Sequence, residues 1–146
     1  MSTRSRIGMV QPDGTIRSIY CHNDGYLNWN GKKLFTRYNT PSKAAALIEL
    51  GDISALREKL TPPKGVVHTF DNSIKGVTVA YGRDRGEKDC DPAVSSGVEA
   101  FLAINSGQEY SYLFENGKWF VWERYGDAAN RRQELTVALV TERVTS

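Results

Sequence analysis

Tyr110-Ser-Tyr-Leu-Phe-Glu-Asn-Gly-Lys-Trp-Phe-Val-Trp-Glu-Arg124 reads as two strands around a tight turn. Asn116-Gly117 is the preferred centre of a type I′ turn, whose twist matches that of two flanking antiparallel strands. Tyr110, Tyr112 and Phe114 alternate along the first arm. On the second arm Trp119 and Val121 alternate against Phe120 and Trp122. A period of two in aromatic and β-branched residues is the signature of a strand. One face of this hairpin is therefore core. The outward aromatics suit a stacking platform or an interface between copies of the chain, so a homo-oligomer is one expectation.

A second hairpin lies at the start. Residues 6–10 are mostly apolar, Pro12-Asp13-Gly14-Thr15 is a turn sequence, and residues 16–21 form the returning strand. Between the hairpins the pattern turns helical. Residues 32–38 place Leu34, Phe35 and Tyr38 on one side of a short helix. Thr40 can cap a helix that begins at Pro41, carries Ala44, Leu47 and Ile48 on one stripe, and ends at Gly51. Asp52 is expected to cap a second helix bearing Ile53, Leu56 and Leu60, which Thr61-Pro62-Pro63-Lys64-Gly65 stops. Residues 66–70 read as extended, Asp71-Asn72-Ser73 as a turn and residues 77–81 as a strand. Residues 82–87 read as a charged loop, 89–97 as loop and 98–104 as a short helix. Helix formers at 131–135 favour a helix over residues 128–144, although 136–141 would also suit a strand. The expected fold is α+β: one domain, residues 1–146, mainly an antiparallel sheet built from hairpins, with short helices packed on one face.

With 40% hydrophobic and 25% charged residues, the 146-residue chain has the composition of a soluble globular domain. A net charge of +2 and the lack of a basic run do not point to a nucleic-acid binder. No apolar run approaches a membrane span, and Met-Ser-Thr-Arg-Ser-Arg is not followed by the apolar core of a secretory signal. Cys21 and Cys90 form no Cys-x-x-Cys pair. A cytoplasmic protein with two free thiols is expected.

Three constellations could carry chemistry. In residues 18–29, Tyr20, His22, Asp24 and Tyr26 fall at every second position and Trp29 follows, although Asp24-Gly25 is a turn signal that breaks the pleat. Their rings could stack on a base, while His22 and Asp24 read polar edges or move a proton. Arg83-Asp84-Arg85, between Gly82 and Gly86, could grip a phosphate or carboxylate through forked hydrogen bonds; a solvated turn is the plainer reading. His68 with Asp71 matches no metal-ligand spacing, and a structural His68 capping the 71–73 turn is the better expectation. Residues 25–33 fail as a phosphate-binding loop, and no Gly-x-Ser-x-Gly elbow occurs. Cys21 and His22 point to opposite faces of a regular strand and cannot act as a nucleophile–base pair. No catalytic residue, metal or cofactor is assigned.

Several of these stretches together resemble a family of small proteins of tailed bacteriophages and prophages. They are Ser5-Arg-Ile-Gly, Asp13-Gly-Thr-Ile-Arg-Ser-Ile-Tyr-Cys-His-x-Asp-Gly-Tyr26, the segment from Tyr38-Asn-Thr-Pro to Leu56, Phe70-Asp-Asn, Val77-Thr-Val-Ala-Tyr-Gly-Arg-Asp-Arg-Gly-Glu87 and Phe114-Glu-Asn-Gly-Lys-Trp119. The resemblance implies a setting in the cytoplasm of an infected bacterium and no particular activity. Small phage proteins commonly interfere with host processes or defence. The leading expectation is a non-enzymatic protein that sequesters a small phosphorylated, nucleotide-type signal. Tyr20, Tyr26 and Trp29 would stack, and Arg83 and Arg85 would hold phosphate. The alternatives are direct inhibition of a host defence or replication protein, and a small phosphoester hydrolase.

Overall fold

The computed structural model describes residues 2–125 and 131–141. Both expected hairpins are present. β1 (Ser5–Val10) pairs antiparallel with β2 (Ile16–Cys21). Between the two, Asp13 accepts from the Thr15 N–H at 2.9 Å and Gly14 takes φ 87°. Beyond them come α1 (Lys32–Arg37) and α2 (Pro41–Glu49). The Thr40 hydroxyl accepts from the Lys43 N–H at 3.3 Å, Pro41 opens α2, and Gly51 closes it in the left-handed region at φ 75°.

The next segment departs from the helix expected after Asp52. Residues Ile53–Ala55 form strand β3, which runs parallel to β2 at Cys21 and antiparallel to β4 (Val79–Ala80). Ile53 and Ala55 face the core by strand alternation, so the apolar spacing that suggested a helix is met by a strand and a turn instead. Asp52 caps no helix: its Oδ1 accepts from the Tyr20 N–H at 2.9 Å. The charged loop is likewise a helical turn, α3 (Tyr81–Arg85), which ends at Gly86 with φ 74°. The loop over 89–97 contains a short strand, β5 (Ala93–Ser95), and α4 (Val98–Ala103) follows as expected.

β6 (Tyr110–Glu115) and β7 (Lys118–Glu123) form the predicted hairpin, with Asn116 and Gly117 both at positive φ. The helix expected over 128–144 is only partly present. Ala128–Asn130 and the stretch after Thr141 lie outside the described residues. Gln133–Glu134 form β8 on the edge of β7, and only Val137–Thr141 is helical, as α5. Arg132 reaches Glu115 at 2.7 Å and lies 3.8 Å over the Phe120 ring, and the Leu135 N–H donates to the Trp119 carbonyl. These contacts bind the segment to the sheet.

The eight strands form one mixed, mostly antiparallel sheet in the order β4-β3-β2-β1-β6-β7-β8. β5 shares the outer edge of β2 with β3, facing residues 16–18 while β3 faces Cys21. The class is α+β. The two terminal hairpins meet where β1 runs parallel to β6, with Arg6 opposite Ser111 and Ile7 opposite Tyr112.

Alternation along the strands gives the sheet two apolar faces. Ile7, Ile19, Cys21, Tyr112, Phe114, Trp119 and Val121 pack under α1, α2 and α5. On the other face Ile16, Leu113 and Trp122 pack around Phe101 of α4. The helices are thus not confined to one side. The hairpin aromatics that face away from the first core, Phe120 and Trp122, form no free platform: α4 and Arg132 cover them. No described helix is long and apolar enough to cross a membrane.

α4 covers only half of the second face, and Phe101 is its anchor, fully buried over Gly8. Phe101→Ala should cost about 3–5 kcal/mol, by lost transfer energy plus the cavity left behind. An equilibrium urea titration reads that loss as a lower midpoint with an unchanged slope.

Candidate anion-binding site

Beyond α4, the second sheet face holds a cluster of arginine, tyrosine and histidine side chains. Arg6 and Tyr20 are opposed in the β1–β2 register. Arg4 and His22 lie one residue outside the same two strands, two positions from Arg6 and Tyr20. Strand alternation therefore gathers two arginines, a tyrosine and a histidine into one patch.

Arg6 is only 6% exposed. Its Nε donates to Ser18 Oγ at 2.9 Å. Its two terminal nitrogens reach only longer contacts, Ser18 O at 3.4 Å and Ser106 Oγ at 3.5 Å. Among the described residues no carboxylate lies within 4.0 Å of it. Burial lowers its pKa, against the pull of the Asp52 charge. A guanidinium has five N–H donors, and taking one out of water without a paired anion is costly. Arg4 packs against the 104–109 loop that covers Arg6: a Cβ on Gly107 would sit 2.8 Å from its Nη1, and its carbonyl accepts from the Glu109 N–H.

Beside the arginines, the Tyr20 hydroxyl and His22 Nδ1 are 2.7 Å apart. Burial raises the Tyr20 pKa, and Arg4 opposes that rise. Burial also raises the pKa of Asp52, although the Tyr20 N–H and the Arg6 charge pull it down. On the far side of Tyr20 runs an aromatic ribbon. Tyr81 stacks on Phe70 with ring centres 5.6 Å apart, and the Arg85 guanidinium lies 4.8 Å over Phe70. The patch therefore sets anion donors beside an aromatic pair that an arginine already covers.

The other residues singled out in the sequence lie elsewhere. The pleat breaks at Asp24, which is exposed in a turn at φ 58°. Tyr26 leaves the patch and packs edge-on against Tyr110, with ring centres 6.4 Å apart. Trp29 sits on a π-helical turn, Leu27–Gly31, beside α1. Arg83 and Asp84 are turned toward the fold and toward each other. Arg83 spends its guanidinium on the carbonyls of Leu60 and Thr78 and on both oxygens of Asp84.

Asp84 also accepts the Ala80 N–H at 2.8 Å and faces His68 Nε2 at 3.2 Å. His68 Nδ1 accepts from the Ile74 N–H at 2.9 Å, which leaves the hydrogen on Nε2, shared between Asp84 and the Thr78 carbonyl. Both ring nitrogens are occupied, so this His–Asp–Arg group clamps the long 61–78 connection to α3. His68 does close the turn after Asp71, as expected for a structural role, but its carboxylate partner is Asp84. No cluster of three metal-ligating side chains occurs among the described residues.

Sequence reading found Tyr20, His22 and Arg85 and missed Arg4, Arg6, Phe70 and Tyr81. The signal for the arginines was their own alternation, Arg4-x-Arg6, on the strand opposite Tyr20-x-His22. No family model matches this chain, no curated protein matches it, and no solved structure matches it.

The clamp predicts a pH signature. Burial pushes the Asp84 pKa up, but Arg83, the Ala80 N–H and His68 together hold it below the usual carboxylate value. A lowered folded-state pKa stabilises the fold above the unfolded value of about 4, and that contribution drains away as pH falls through the folded value. Asp84→Asn should lower stability by about 3 kcal/mol at pH 7. Urea midpoints for the two proteins should converge as the pH approaches 2.

Proposed function

We propose that this chain is a binding protein for a small phosphorylated, nucleotide-type ligand, which it holds without converting it. The observation that carries the reading is Arg6, a buried guanidinium with no carboxylate in contact among the described residues, set beside Arg4 and the Tyr20–His22 pair. A phosphate supplies what Arg6 lacks, a counter-charge and several strong acceptors. Tyr81, close to Tyr20, adds an aromatic ring beside the same patch. In the bacteriophage setting that the sequence resemblance implies, holding such a ligand would remove a signal that activates host defence.

One observation favours a second reading, a phosphoester hydrolase. His22 uses Nδ1 for Tyr20, and its Nε2 makes no hydrogen bond among the described residues. That nitrogen could exchange a proton with a phosphoester held by the arginines.

Both readings are tested by incubating the protein with a nucleotide pool extracted from bacteria, then heating it and following each species by mass spectrometry. Sequestration predicts that one nucleotide is depleted and returns intact. A hydrolase returns it cleaved, with turnover abolished in His22→Ala. If nothing is depleted, the ligand reading fails, and capture of a host protein becomes the remaining function. Arg4→Ala, which leaves the buried Arg6 in place, should weaken ligand binding by about 10- to 100-fold, the worth of a charge-assisted hydrogen bond.

A further inference from the structure

A separate basic groove runs along α1 on the helical side of the molecule. Two adjoining cavities of ≈ 410 and ≈ 380 Å³ share Thr36, Arg37 and Glu58. Trp29, Lys32 and Lys33 line the first, and Lys43 lines the second. Trp29 is 51% exposed, although a tryptophan ordinarily buries most of its surface. The Lys33 ammonium lies 5.0 Å from the centre of its ring. The turn that presents the ring is π-helical, a rare geometry that recurs at functional sites. None of Lys32, Lys33, Arg37 and Lys43 has a carboxylate within 4.0 Å among the described residues. The chain's net charge of +2 conceals this local excess of cations.

From these features we infer that the groove binds a short single strand of nucleic acid. A groove of cations that can track a phosphate backbone, with an aromatic ring on which a base stacks, is how proteins hold single strands without reading sequence. The two cavities follow one another along α1, so successive phosphates can meet Lys33, Arg37 and Lys43 while one base lies on Trp29. Glu58, at the junction, can accept from the amino groups of a base. This site is independent of the patch around Arg6, which lies on the other face of the sheet.

Trp29 supplies its own reporter, because Trp119 and Trp122 are 2% and 8% exposed. Adding a short oligothymidylate should quench the exposed tryptophan fluorescence. The association constant should fall with salt at a log–log slope of about −2 to −3, for three or four neutralised phosphates. Trp29→Ala should weaken binding of a labelled oligothymidylate by about 5- to 150-fold, the measured range for one stacked base. The exposed pair Arg37→Glu with Lys43→Glu should abolish binding at physiological salt without changing the circular dichroism of the fold. Thymidine monophosphate binding as tightly as the oligomer would overturn the strand and leave a mononucleotide pocket. Absence of quenching at low salt, or oligomer binding indifferent to all three substitutions, would overturn the site.

Discussion

The parallel pairing of β1 with β6 is the contact on which the rest of the structure depends. Each terminal hairpin is local and closes over a turn of a few residues, but a lone hairpin is marginal in water. Joining them brings Arg6 beside Ser111 and Ile7 beside Tyr112, across about a hundred residues of chain. That junction makes one sheet with two faces to bury. It also makes β1 an interior strand, so Arg6 cannot reach solvent past a sheet edge. The loop over 104–109, which leads into β6, then lies across the guanidinium and supplies Ser106 as a distant acceptor. Burial of the arginine is a consequence of topology.

The same junction fixes the opposite face. Tyr112 is fully buried at the centre of the sheet, and its hydroxyl donates to the Gly25 carbonyl at 2.7 Å. Gly31 leaves room for that ring: a Cβ there would meet the hydroxyl at 3.2 Å. Asn30 is buried alongside and donates to Ser5, Cys21 and the Asn23 carbonyl. The loop after β2 is therefore held at both ends by core contacts. Its middle is displayed as a π-helical turn, with Trp29 on the outside. Buried polar bonds of this kind position a loop more sharply than apolar packing does, because a misplaced chain leaves a donor or acceptor unpaired.

Elements with a local cause were legible in the sequence. Asn116-Gly117 dictates its hairpin, and Thr40-Pro41 starts α2 where it should. Elements whose cause is distant were not. Ile53, Leu56 and Leu60 fit a helix stripe, but Ile53 has the open edges of β2 and β4 to join, and tertiary pairing overrides the weak local preference. The charged residues 83–85 looked like a ligand grip because sequence does not show that Leu60, Thr78 and His68 converge on them. Tyr20 and His22 were visible as a pair, since their spacing is that of one strand face. Arg4 and Arg6 were not, since a terminal arginine reads as solvated until a remote loop is known to cover it.

The contrast between Arg83 and Arg6 separates structure from function in this chain. Both guanidiniums are held by backbone and side-chain acceptors. Arg83 is closed by Asp84, itself 3% exposed and satisfied by three partners, so its charge is neutralised inside the fold. Arg6 has no carboxylate in contact among the described residues, and the charge that acts on it is that of Asp52, whose own ionisation burial disfavours. A fold optimised for stability alone would replace an unmatched buried cation with an apolar side chain of similar volume, which is commonly neutral or stabilising. The charge is instead kept on an interior strand, next to a histidine, a tyrosine and a second arginine, and its cost is the physical ground for the proposed anion site.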